Sequence, residues 1–158
     1  MKAINSYLIE KLKINKDTVS KDTKNNLKKG DYIGIFSFDE LDNKISVYSP
    51  MKFFTYENNS LIYTNLFGQR VIKAEVFVNS EGYYEYNSNK FETIGLYLNV
   101  DDSIELINAI INGEDYSGFF DKHTDTSKLD KLKVIVNSND LKKFQSAKYH
   151  QENDTLNK

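Results

Sequence analysis

The sequence has no cysteine, no tryptophan and only one proline in 158 residues. Missing thiols exclude a disulfide scaffold, cysteine-zinc ribbons, cysteine nucleophiles and thiol redox chemistry. Apolar runs are only a few residues long, so no membrane-spanning helix is expected. No apolar stretch follows the first lysine, so no secretory signal is expected. The chain also lacks a phosphate loop, a dinucleotide fingerprint, a nucleophile elbow and a His-Glu-x-x-His pattern. With two histidines in all, no metal and no cofactor are expected, and the chain reads as non-enzymatic.

What is present is a domain-sized chain with an uneven distribution of charge. Its length suits one domain plus tails. The formal net charge of −2 hides a division. Residues 1–30 carry eight lysines against Glu10, Asp17 and Asp22, a balance of +5. Residues 31–120 balance to −9 and hold 18 of the aromatic side chains, and residues 121–158 balance to +2. A basic arm therefore precedes an acidic, aromatic-rich body, an asymmetry that bears on partners and not on fold.

In the arm, Ile4, Tyr7, Leu8 and Leu12 recur at helical spacing and form a narrow apolar stripe. So short a helix is marginal alone in water and needs a surface to dock on. Residues 15–30 contain only Val19 and Leu27 as apolar side chains and read as a linker. From Asp31 the period changes to two. Residues 31–38 place Tyr32, Phe36 and Phe38 on one face and Ile33 and Ile35 on the other, which predicts a central strand. Residues 44–49 follow after a turn at 39–43, with Ile45 and Val47 inward, and Pro50 interrupts them. Asn58-Asn59 is a hairpin turn between residues 51–57 and 60–66, because asparagine tolerates positive φ.

Further strands are expected over 70–78, with Ile72, Ala74, Val76 and Val78 on one face, over 83–86, and over 90–98. Asn87–Asn89 reads as a turn between the last two. Asn99–Asp102 offers N-caps for a helix whose face is Ile104, Leu106, Ile107, Ile110 and Ile111 and which ends at Gly113. A last strand is expected within 129–136, and Ser138 or Asn139 caps a short helix over 140–149. The expected fold is α+β: a mostly antiparallel sheet of about six to seven strands with one or two C-terminal helices and an N-terminal amphipathic helix. The expected organisation is a leader and linker at 1–30, one domain at 31–150 and a flexible tail at 151–158.

Three features invite a chemical reading. Asp121, His123 and Asp125 cluster in one loop, but a metal or catalytic site needs further convergent groups. They read as a solvated loop, with a small Asp/His enzyme as an alternative. Asp101, Asp102 and Glu105 could bind a hard cation, yet acidic residues in the first turn of a helix complement its dipole. Tyr83, Tyr84 and Tyr86 sit close together in a strand. Adjacent tyrosines point to opposite faces, so at least one is expected to be exposed and available to a protein partner. Nucleic acid is disfavoured, because the acidic body repels phosphates.

The opening Ile4-Asn5-Ser6-Tyr7-Leu8-Ile9-Glu10-Lys11-Leu12-Lys13-Ile14-Asn15-Lys16 resembles the short leaders of small proteins from crAss-like gut bacteriophages. The resemblance covers about a tenth of the chain and implies a phage-encoded protein, carried in or on the virion or present in the host cytoplasm. It implies no catalytic residues. On this view the chain is a structural or virion-associated protein, oligomeric within an assembly, that docks on a partner protein through Ile4, Tyr7, Leu8 and Leu12. Tyr83, Tyr84 and Tyr86 would add partner contacts, and no membrane is involved. The alternative is an acidic inhibitor that binds a basic host protein, as an anti-defence module or nucleic-acid mimic.

Overall fold

The computed structural model of the chain describes residues 27–39, 44–79, 81–88, 93–119, 133–134 and 136–156. The leader stripe of Ile4, Tyr7, Leu8 and Leu12, the 40–43 turn and the Asp121, His123, Asp125 loop lie outside the described residues. The fold is α+β, a largely antiparallel sheet with two helices.

The strands are β1 (Tyr32–Asp39), β2 (Lys44–Val47), β3 (Met51–Glu57), β4 (Ser60–Thr64), β5 (Val71–Glu75), β6 (Phe77–Val78), β7 (Tyr84–Ser88), β8 (Thr93–Asn99) and β9 (Lys133–Val134). Helix α1 spans Val100–Asn112, a single 3-10 turn spans Ser117–Phe119, and helix α2 spans Ser138–Leu156. Among the described residues no helix is long and apolar enough to cross a membrane.

Hydrogen-bonded neighbours run in the order β5-β4-β3-β1-β8-β7-β6. The two ends of this path, β5 and β6, are one stretch of chain joined by Val76. Val76 N–H donates to Asn59 O on the β4 side, at 2.8 Å, while Phe77 pairs with Glu85 of β7. Successive residues of an extended strand offer their amides to opposite edges. The stretch therefore has β4 on one edge and β7 on the other, and the sheet closes into a barrel. Among the described residues β5 itself pairs only with β4, and the second half of β7 pairs only with β8, so the ring is left open between them.

Two strands feed the other side of β1. Its C-terminal half pairs with β2 and its N-terminal end with β3. The register slips by one residue between the two pairings, at the Tyr48–Pro50 segment, where proline has no amide to give to a ladder. The hairpin between β3 and β4 turns on Asn58 and Asn59 at φ 44° and 68°, as the sequence suggests.

Closure gives the sheet an inside and an outside, and the period-two pattern sorts side chains between them. Ile33, Ile35, Phe53, Leu61, Val76, Val78, Tyr84 and Tyr97 pack together within the barrel. Phe36, Phe38, Ile45, Phe77, Ile94, Leu96 and Leu98 point outward and are covered by α1 and α2. β1 is thus buried on both faces, as expected of a central strand. Ile72, Ala74, Val76 and Val78 do share the inner face.

Helix α1 begins with Asn99 as N-cap, whose Oδ1 accepts the Asp102 amide at 2.8 Å. Gly113 closes it in the left-handed region at φ 71°. Its buried face is Val100, Ser103, Leu106, Ile107, Ala109 and Ile110, and Ile111 is exposed. The expected face is thus rotated, with small residues against the sheet instead of a further isoleucine. The reason lies at Gly34: a Cβ there would overlap Ser103 Oγ and lie 2.9 Å from the Phe144 ring. A glycine on β1 and a serine on α1 allow the close approach.

Helix α2 runs seven residues beyond the expected end at Tyr149, to Leu156. Its anchors are Phe144 and Ala147, and Phe144 stacks on Phe36 with ring centroids 6.5 Å apart. Gln151 Oε1 accepts the Tyr32 amide at 2.7 Å, a tertiary bond that holds turns with little apolar content. β7 likewise continues through Asn87 and Ser88, where a turn was expected. Backbone pairing with Ile94 and Thr93 overrides the turn preference of asparagine.

Candidate ligand cavity

Tyr83, just before β7, and Tyr84 and Tyr86 within it go to three different places. Tyr83 stacks on Phe119 at 5.3 Å and 26°. Its position is set by Asn79, whose Oδ1 accepts the Glu81 and Tyr83 amides at 2.9 and 3.1 Å. Asn79 Nδ2 donates to Glu85 Oε2 at 2.5 Å and to Phe119 O at 3.2 Å, which ties a buried carboxylate to the same turn. Tyr84 is buried in the barrel against Tyr56, 5.6 Å between centroids. Tyr86 is half-buried and lines a cavity. Adjacent tyrosines do point to opposite faces, but none of the three rings is an exposed surface ring.

The cavity measures about 500 Å³, within the range of about 300–1,000 Å³ typical of small-molecule sites. Ile35, Met51, Ile72 and Ala74 supply apolar walls, and Tyr48, Tyr63, Tyr86 and Tyr97 supply aromatic ones. Glu75 lines it as well and is exposed to solvent. These residues come from β1, β3, β4, β5, β7 and β8, together with the bulge at Tyr48. The cavity is therefore a product of barrel closure. The unpaired gap between β5 and β7 is flanked by Ala74 and Glu75 on one side and Tyr86 on the other.

The rings are tilted rather than stacked. Tyr97 lies between Tyr63, at 5.7 Å and 58°, and Tyr86, at 5.4 Å and 57°. Gly95 makes room for Tyr86, its partner across the β7–β8 ladder. A Cβ on Gly95 would fall inside the Tyr86 ring. The Tyr86 hydroxyl lies 3.1 Å from Ser37 Oγ, and the Tyr63 and Tyr97 hydroxyls are 3.5 Å apart, at the outer limit of a hydrogen bond. Burial raises the ionisation point of all three phenols, and for Tyr97 the neighbouring Tyr63 adds to it. They remain neutral phenols wherever the protein is folded near neutral pH.

Comparison with protein-family models produced no match, and none was found among curated proteins or solved structures. Function must be argued from the site itself.

The other candidate features have local explanations. Asp101 and Asp102 occupy the first turn of α1, and Asp101 Oδ1 pairs with Lys148 Nζ of α2 at 2.9 Å. This supports the helix-start reading over a cation site. Among the described residues no group of three or more His, Asp or Glu side chains is placed to hold a metal. A polar groove of about 260 Å³ between Lys28, Asp31, Asp101, Lys148 and Glu152 is the seam where α2 meets the start of β1. Of the cavity tyrosines, only Tyr86 stands out in the sequence. Tyr63 and Tyr97 share its inward parity within their strands, a signal that was legible; Tyr48, in the bulge, had none.

Proposed function

We propose that this protein is a non-catalytic binding module whose ligand site is the tyrosine-lined barrel cavity. The observation that carries the reading is convergence: four tyrosines from separate segments surround one cavity of about 500 Å³. The hollow is open to solvent on one side, and a guest that covers its apolar walls would remove them from water. The site offers flat aromatic faces and neutral hydroxyl donors, which suits recognition better than bond-making.

The test is titration with indole, a neutral flat probe, monitored by NMR of carbon-labelled tyrosine rings. Shifts confined to Tyr48, Tyr63, Tyr86 and Tyr97, with Tyr116 and Tyr149 unmoved, are expected. Small shifts spread evenly over all the tyrosines would sink the reading.

The arm supports a second role. Leu27 packs against the barrel core and Gly30 N–H donates to Phe53 O at 2.8 Å, which fixes where the arm leaves the body. None of residues 27–31 lines the cavity. In this reading the protein is a phage-encoded, virion-associated component, tethered by its leader. Removal of residues 1–24 is expected to leave the body folded while abolishing association with particles. Persistent association after that deletion would refute the tether.

A further inference from the structure

We infer that the cavity is an aromatic cage for an organic cation, a compact molecule or side chain ending in a quaternary or fully alkylated ammonium group. The inference rests on the cavity being a ligand site and names the chemistry of the guest.

Three observations point the same way. The first is ring geometry. Tyr63 and Tyr86 flank Tyr97 with interplanar angles of 58° and 57°, so neither flanking ring is parallel to Tyr97, and all three line one space. Flat aromatic guests favour parallel walls, whereas a rounded cation gains from several inclined faces at once, because each face carries the negative lobe of its ring's quadrupole. Tyr48 adds a fourth ring, 53% exposed, at the solvent side of the cavity.

The second is charge. Glu75 is the one ionisable carboxylate lining the cavity, and no Lys, Arg or His joins it among the described residues. An anionic guest would meet Glu75 without a lining counter-ion. A cation would meet the carboxylate at the gap and the rings within. Arg70, on the loop between β4 and β5, is close enough to influence the Tyr63 hydroxyl but does not line the space. The −9 balance of residues 31–120 would also draw cations toward the body.

The third is the mix of walls. Ile35, Met51, Ile72 and Ala74 suit the methyl groups of an alkylated ammonium, which carries charge but has no N–H to satisfy. A primary ammonium, stripped of its water in such a place, would have to draw three acceptors from Glu75 and from phenol oxygens already engaged by Ser37 and by the Tyr63–Tyr97 contact.

The experiment is a set of calorimetric and tyrosine-NMR titrations on the full chain. The probes are tetramethylammonium, choline, choline's neutral carbon isostere dimethylbutanol, and a short peptide bearing trimethyllysine. Choline is expected to bind at least about tenfold more tightly than dimethylbutanol, which has the same shape without the charge. Preference for choline over the peptide would identify a free small molecule as the guest, and the reverse an alkylated side chain; either supports the cage.

Two exposed positions allow variants that do not threaten the fold. Tyr48→Leu is expected to weaken choline about three- to tenfold, while Tyr48→Phe keeps the ring and most of the affinity. Glu75→Gln is expected to weaken it about threefold and to flatten its salt dependence. Equal or tighter binding of dimethylbutanol overturns the cage and leaves the cavity as a ligand site. No binding of any ammonium probe, with indole still bound, does the same. Loss of indole binding as well overturns both.

Discussion

Gly95→Ala should be the most telling single change in the barrel. The added methyl group would lie inside the Tyr86 ring, so the ring has to leave its place against β8. Leaving breaks its hydroxyl contact with Ser37 at 3.1 Å and its tilted contact with Tyr97 at 5.4 Å. The first is worth about 1 kcal/mol and the second about 0.5–1.5 kcal/mol. Residual strain in a close-packed wall adds about 1 kcal/mol or more. The total is about 2–4 kcal/mol. At about 2–4 °C per kcal/mol for a chain of this size, the melting temperature should fall by roughly 5–15 °C. The displaced ring has the cavity in front of it, so indole binding should fall as well.

Urea unfolding of Gly95→Ala, Tyr86→Ala and the double variant closes a thermodynamic cycle. Once the ring is gone its overlap with the methyl group is gone too, so the double variant should be clearly more stable than the sum of the singles predicts. Additive losses, or a Gly95→Ala cost under about 0.5 kcal/mol, would show that Tyr86 does not lie on Gly95.

Other consequences follow from the packing and from the buried phenols. Phe144→Ala removes the fully buried anchor of α2 and should cost about 3–5 kcal/mol; hydrogen exchange should show residues 138–156 losing protection before β1 and β8. Asn99→Ala removes the N-cap of α1 and should cost about 1 kcal/mol, with Asn99→Asp recovering most of it by thermal melt. Alkaline pH should unfold the protein. Burial raises Tyr56 to about 12 and moves Tyr63, Tyr86, Tyr97 and Tyr116 in the same direction. A phenol with a raised folded pKa contributes stability that is complete below its unfolded value near 10 and is lost as pH rises through the folded value. Stability should therefore hold to about pH 9 and decline above about 10. Phenolate absorbance should then appear together with loss of circular dichroism. Full ionisation of the tyrosines near pH 10 with the fold intact would contradict the burial.

The parts of the fold that were legible in sequence are those set by neighbours a few residues apart. Alternation separated Ile33 and Ile35 from Phe36 and Phe38, and grouped Ile72 with Ala74, Val76 and Val78, because successive side chains of a strand leave from opposite faces. Paired asparagines marked the β3–β4 hairpin, and an N-cap and a glycine bracketed α1, because those residues suit the backbone angles or orphan amides found there. Errors arose where a tertiary contact outweighed a local preference. Ser103 joins the buried face of α1, and Ile111 does not, where Gly34 lets the helix come close. The Gln151 bond to Tyr32 supports the longer α2. Pairing with β8 keeps Asn87 in β7.

The cavity belongs to a different order of information. Sequence alone determined which faces were apolar, where most strands and one helix lie, and how charge divides between arm and body. It excluded thiol chemistry outright. Only the tertiary structure decided that the two halves of residues 71–78 pair on opposite edges with β4 and β7. That choice turns a meander into a barrel and sets Tyr48, Tyr63, Tyr86 and Tyr97 around one space. Periodicity reports the direction of a side chain relative to its own strand. It does not report which strand lies across, because that is settled by free energy summed over contacts between residues tens of positions apart.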